Sequence, residues 1–288
     1  MEKLQKALND ARLARERANA RLTQARDREP AVLENPVSGK PADPLLLQVA
    51  TPGHDHWADL MPYEPNPDHL QRNRILTLNA EATSSPFDVL RTKVIMMMKQ
   101  NGWKRLAITS PSKSCGKTTT ACNLAVGLSR QREYRSMLFD MDLRRPDVAN
   151  VLGRRPHYGI KPMLTGEVEP KDQMLCLRGN VALSLNTAPV PDSTQLMMAQ
   201  RTSDRLDQIQ QVFAPDIMIF DLPPMFAFDD TRAFLKNVDC ALIVIRAEHT
   251  TTSQLDQCER EVAELTNVLG VVLNNCRHTV NDEEYFSY

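Results

Sequence analysis

Short apolar runs and longer amphipathic stretches alternate along this chain from about residue 86 onward. Residues 105–109, 136–139, 181–186, 217–220, 240–245 and 269–273 are almost continuously apolar, the mark of strands buried on both faces. Between most of them the apolar spacing turns helical, notably over 86–100, from the loop after Thr109 to about 131, over 195–213 and over 253–265. This alternation predicts an α/β fold in which helices cover both faces of a mostly parallel, doubly wound sheet. Only 10 glycines in 288 residues fit a helix-rich domain.

The chain before residue 74 reads differently. Residues 1–29 form one basic helical pattern, with Leu4, Leu8, Ala11, Ala18, Leu22 and Ala25 on a thin stripe ringed by Arg12, Arg17, Arg21 and Arg28. A solvated helix and a docking helix both stay open, because an alanine-rich stripe buries little area. Residues 30–73 carry recurrent prolines and no periodicity, so a disordered tether is expected there, with the globular domain at 74–280. His54 and His56 flank Asp55 within that tether, where nothing pre-organises a third metal ligand.

A hydrophobic content of 42% supports a sizeable core, and a formal net charge of −1 argues against general nucleic-acid binding. The six cysteines form no CxxC pair, so neither a zinc site nor a disulfide framework is indicated, and reduced thiols fit the cytoplasm. The N-terminal residues lack an apolar signal core, and no apolar run approaches the roughly 20 residues of a membrane span. The expectation is a soluble chain without direct membrane insertion.

Three segments carry the chemistry. Residues 110–118, SPSKSCGKT, end in the phosphate half of a P-loop. In it Gly116 admits the backbone to the phosphates, Lys117 reaches the β/γ-phosphates, and Thr118 can ligate Mg²⁺. Ser114, Cys115 and Thr119 complete the cradle at a helix N-terminus, whose free N–H groups favour phosphate. The pattern is incomplete, since Pro111 stands where the general motif has glycine. The strands over 136–139 and 217–220 each run straight into an acid, Asp140 (followed by Asp142) and Asp221. Such strands hold carboxylates at the edge where open α/β sheets bind ligands. Asp140 and Asp142 can cap a turn, or Asp140 can stand beside Mg²⁺ and accept a hydroxyl proton. Asp221 would hold the metal through water. Nucleotide, metal and three carboxylates on one edge make a phosphoryl-transfer site.

The order P-loop, FDMDLRRP, IFDLPP resembles the bacterial tyrosine kinases of capsule and exopolysaccharide assembly, relatives of the MinD and ParA ATPases with a deviant Walker motif. FDVLRT (87–92) and VVLNN (271–275) are similar to that family's helix before the P-loop and its last strand. The resemblance implies a three-layer P-loop NTPase fold and an ATP- and Mg²⁺-dependent protein-tyrosine autokinase regulating polysaccharide polymerisation and export. Lys117 and Thr118 would serve phosphate and metal, Asp140 and Asp142 the second acidic box, Asp221 the third, and Asn274 the adenine. A separate inner-membrane co-polymerase or activator protein is implied as partner, with the chain on the cytoplasmic side of that membrane. The acidic segment 281–288 carries Tyr285 and Tyr288, suited as phosphoacceptors for a neighbouring copy, although a frayed end stays open. Ring-forming members carry E-x-x-R-x-x-R where this chain has Ser85, Asp88 and Arg91, which weakens the case for homo-oligomers through that contact. Two other readings compete: a positioning ATPase, disfavoured by Ser112 where its signature lysine belongs, and a catalytically weak nucleotide-binding scaffold.

Overall fold

The structure is a computed structural model, and residues 54–276 are described. Its elements follow in chain order. The first are β1 (Met61–Tyr63), α1 (Pro67–Arg72), α2 (Ser85–Asn101), β2 (Arg105–Thr109), α3 (Lys117–Leu128) and β3 (Ser136–Asp140). Then come α4 (Val148–Leu152), α5 (Ile160–Leu164), α6 (Pro170–Gln173), β4 (Leu175–Leu177), β5 (Val181–Ser184), α7 (Ser193–Met198) and α8 (Gln200–Phe213). The last are β6 (Ile217–Asp221), α9 (Asp230–Phe234), β7 (Cys240–Arg246), α10 (Thr252–Leu265) and β8 (Asn267–Asn274).

The eight strands form one sheet in the order β1-β4-β5-β3-β6-β2-β7-β8. All neighbours are parallel except β4 and β5. Successive side chains of β2 alternate faces. Leu106 and Ile108 join the core under α2 and α3, whereas Ala107 joins the opposite core with Ile209 and Phe213 of α8. Phe139 and Phe220 stack on that second face with ring centroids 4.9 Å apart. The expected three-layer, mostly parallel sheet is what forms.

The expected tether is wrong for residues 54–73. Trp57 and Leu60 are buried in one core, Tyr63 and Leu70 in the other. The Trp57 indole N–H donates to the Phe213 carbonyl at 2.8 Å, and the Tyr63 hydroxyl donates to the Leu152 carbonyl. Burial pushes the Tyr63 phenol up to about 12. Proline here sets turns: Pro67 starts α1, whose cap Asn66 accepts the His69 N–H at 3.1 Å. The four large apolar anchors are spread over a turn, a three-residue strand and a six-residue helix, none long enough to show a period, so periodicity overlooks them. The helix expected over 195–213 is two helices, because Ala199 is extended (ψ 132°) between α7 and α8. The basic helical pattern at 1–29, the rest of the tether and the tyrosine tail at 281–288 lie outside the described residues.

Candidate active site

Strand β2 delivers the P-loop to the sheet's C-terminal edge, and α3 begins at Lys117. The loop turns on two left-handed residues, Ser114 (φ 60°) and Gly116 (φ 92°). At Gly116 the positive φ favours glycine, and a Cβ there would stand 1.9 Å from Asn274 Nδ2 and push that amide off the loop. That same amide donates to the Cys115 carbonyl at 2.9 Å. Asn274, at the end of β8, therefore braces the loop from behind while lining the same cavity. The Cys115 thiol is buried against the Ser112 and Thr250 hydroxyls, a packed position.

Strands β3 and β6 pair with Asp140 opposite Asp221. Asp221 accepts the Thr118 hydroxyl at 2.7 Å, and Lys117 Nζ lies 2.8 Å from Asp142 Oδ2. Asp142 Oδ1 accepts the Arg145 N–H, which closes the turn after β3. Asp140 is fully buried, with Oδ2 accepting the Val148 N–H at 3.2 Å, so the capping role is real for one of its oxygens. Its other oxygen, and Asp221 Oδ1, are buried without a hydrogen-bond partner. Burial drives the Asp140 carboxyl well above its ordinary range, and Asp221 reinforces this against the opposing pull of Val148 N–H and Lys117. Burial also raises Asp221, to about 6, although Lys117 and Thr118 favour its charged form. Burial disfavours the Lys117 ammonium, but Asp221, Asp142 and Asp140 outweigh it and the lysine is held charged.

A cavity of about 750 Å³ opens over these groups. Ser114, Cys115, Gly116, Lys117, Thr118, Thr119, Asp142 and Asn274 line it, together with Arg74, Phe87, Phe228 and Arg246. Asp140 and Asp221 sit behind this wall rather than in it. Two orphaned buried carboxylate oxygens on paired strands, beside a threonine hydroxyl, are a hard-oxygen donor set that fits a magnesium ion. Sequence reasoning missed Phe87, Phe228 and Arg246, whose distance along the chain hides their convergence. It also missed Asp230, which holds Arg144 through bonds of 2.9 and 3.1 Å. The Asp88 carboxylate, where the ring-forming pattern has arginine, pairs with Arg91 at 2.6 Å and Arg130 at 2.9 Å, so this patch is satisfied within the chain.

Comparisons with known proteins identify the family. Residues 106–286 match the family model CbiA, the CobQ/CobB/MinD/ParA nucleotide binding domain. The tyrosine-protein kinase YwqD of Bacillus subtilis (strain 168) is 25% identical over 216 residues, covering 74% of this chain and 90% of that protein. The putative tyrosine-protein kinase CapB of Staphylococcus aureus is 23% identical, covering 71% of this chain and 90% of CapB. The tyrosine-protein kinase Wzc of Salmonella typhi is 26% identical, but the chain spans only 28% of it. The kinase domain of the Escherichia coli tyrosine kinase ETK shares the fold, with a TM-score of 0.64 at 23% identity over 74% of this chain and 84% of that domain. Since the matched span takes in the P-loop, both acid-bearing strands and Asn274, the chain belongs to the CobQ/CobB/MinD/ParA nucleotide-binding family.

Proposed function

We propose that the chain is an ATP- and Mg²⁺-dependent protein-tyrosine kinase that phosphorylates copies of itself and so regulates capsule or exopolysaccharide polymerisation and export. The observation that carries this reading is that YwqD, paralleled along 90% of its length, is named a tyrosine-protein kinase, and CapB, paralleled to the same extent, a putative one. At rest Lys117 is neutralised by Asp142. Phosphate oxygens entering the cavity take Lys117 over, together with the N–H groups at the start of α3. Asp142 is then a released carboxylate on the cavity wall, placed to accept the hydroxyl proton of an incoming tyrosine. The tyrosine oxygen bonds to the γ-phosphorus, the bond to the leaving oxygen breaks, and ADP departs. Asp142 thus takes the base role expected of Asp140, which is sealed behind the wall. Thr118, Asp221 and Asp140 would hold Mg²⁺, which when bound neutralises charge on the phosphates. Asn274 serves the site by bracing the loop.

The acceptors are Tyr285 and Tyr288. Tyr63 is excluded by its burial, while Tyr158, 40% exposed, is the competing tyrosine within the fold. The chain works at the cytoplasmic face of the inner membrane, held by a separate co-polymerase or activator protein and associating with its own copies. The test is phosphosite mapping by mass spectrometry after incubation with Mg-ATP. Wild type should carry phosphotyrosine at 285 and 288, and the Lys117→Met and Tyr285→Phe/Tyr288→Phe variants should not. Phosphate that persists in Lys117→Met, or resides only on serine and threonine, overturns the assignment.

A further inference from the structure

We propose that His54, His56 and Asp59 form a binding site for a divalent transition-metal ion of the zinc type, on the sheet edge opposite the nucleotide cavity. The inference is independent of kinase activity. Donor atoms of all three residues lie within 4.8 Å of one another. His54 Nε2 stands 2.6 Å from Asp59 Oδ2, and His56 Nδ1 stands 4.0 Å from the same oxygen. A tetrahedral ion with bonds of about 2.0–2.2 Å holds its donors roughly 3.3 Å apart, so side-chain rotation alone brings these three into range. Two imidazoles and one carboxylate form a borderline donor set that selects zinc-like ions over magnesium, and three protein ligands leave a fourth position for water.

The scaffold beneath the ligands is rigid, which is what the sequence pattern lacked. Residues 55–58 close a turn through the Ala58 N–H to the Asp55 carbonyl at 3.0 Å. Trp57, between the two histidines, is buried, and its indole is tied to the Phe213 carbonyl and covered by the Arg135 guanidinium at 5.4 Å. His56 itself packs near the Phe213 ring, and its buried Nε2 leaves Nδ1 as the nitrogen facing Asp59. Arg135, whose guanidinium covers Trp57, is engaged by Asp55 at 3.0 Å. A hydrogen bond of 2.6 Å joins His54 Nε2 to Asp59 Oδ2. An ion bound at His54 Nε2 takes the place of the proton in that bond, and the neutral ring carries its proton on Nδ1.

Phe213 ends α8 just before β6, and Arg135 lies just before β3, so the turn sits at the strands' N-terminal ends. A metal there would cross-link the histidine turn to Asp59 within the segment entering β1, whose Trp57 is already tied to the end of α8. The experiment uses the full chain, stripped of metal, in a Cys276→Ser background that removes the exposed thiol. Zn²⁺ is titrated calorimetrically in excess Mg²⁺, and Co²⁺ reports the ligand sphere by visible absorption. One equivalent of Zn²⁺ is expected, with affinity lowered on the order of 10-fold or more by His54→Gln and by Asp59→Asn, and a Zn²⁺-dependent rise in Tm that both variants lose. Cobalt bound to wild type should show d–d bands without a thiolate charge-transfer band, a readout that stands whether or not a variant folds. No stoichiometric binding to wild type, binding unchanged in the variants, or a thiolate band would each overturn the site.

Discussion

Asp221 and Asp230 are both wholly removed from solvent, yet they stand in opposite states. Asp230 accepts two bonds from Arg144, one from Ser193 at 2.7 Å and one from Thr194. Burial alone would raise its pKa, but these donors outweigh it and the carboxyl lies below its ordinary range. Asp221 has one donor, Thr118, leaves an oxygen unpartnered and rises to about 6. Burial raises both carboxyls, and the outcome turns on what faces each: Arg144 and two hydroxyls at Asp230, but Asp142 and Asp147 beside Lys117 and one hydroxyl at Asp221. The acid given a full set of partners holds the fold together, and the acid left short is the one that, on the proposed function, would meet a metal ion.

The largest test of this contrast removes the cation on the short side. Lys117→Met should take nucleotide-dependent phosphorylation to background while the melting temperature stays within a few degrees, measured by phosphate incorporation and circular dichroism. Retained turnover would separate the under-partnered acids from any phosphate chemistry. Next, Asp142→Asn should lower phosphotransfer by a factor on the order of 10² to 10⁴ with little change in nucleotide affinity, read by single-turnover kinetics beside equilibrium binding. A full rate in this variant would return the base role to Asp140.

Stability sharpens the comparison further. Asp230→Asn leaves Arg144 short of its partner and should cost about 2 kcal/mol in a denaturant melt. Asp221→Asn in EDTA should cost nothing at pH 7.5 or stabilise, because it removes a buried charge with too few donors. A matching loss in both variants would erase the distinction. The pH dependence has a definite sign. The folded pKa of Asp221 exceeds its unfolded value of 3.8, so its contribution to stability is complete below the unfolded pKa and is lost as pH rises through about 6. In EDTA, wild type should therefore lose stability relative to Asp221→Asn between about pH 4 and pH 6 and level off above, followed by paired thermal melts. The smallest effect is at the loop brace: Asn274→Ala should weaken nucleotide binding several-fold, by fluorescence titration, as the Cys115 carbonyl loses its donor.

The alternation of apolar runs with helical stretches made the parallel sheet legible, because strands buried on both faces announce themselves in composition. The rule of a strand ending in an acid located Asp140 and Asp221, and the structure puts them in register. What stayed hidden needs three dimensions. Residues 54–73 are held by Trp57, Leu60, Tyr63 and Leu70, each packed on a distant helix or strand, with no local repeat to read. The break at Ala199 interrupts a helical pattern that looks continuous. Strand β4, antiparallel to β5 and only three residues long, is too short for any periodicity. Which of Asp140 and Asp142 faces the cavity depends on the turn taken after β3, a choice no spacing encodes.

The bond from Asn274 to the Cys115 carbonyl joins residues 159 positions apart. The phosphate loop is thus finished by β8, the last strand among the described residues. During translation β2, β3 and β6 can assemble while the loop still lacks its brace, and only the pairing of β8 along β7 brings the amide into place. A nascent or truncated chain ending before β8 would hold the lysine and the acids but an unbraced loop. Such a chain would hold nucleotide several-fold more weakly, so the loop reaches its full grip only once β8 has paired with β7.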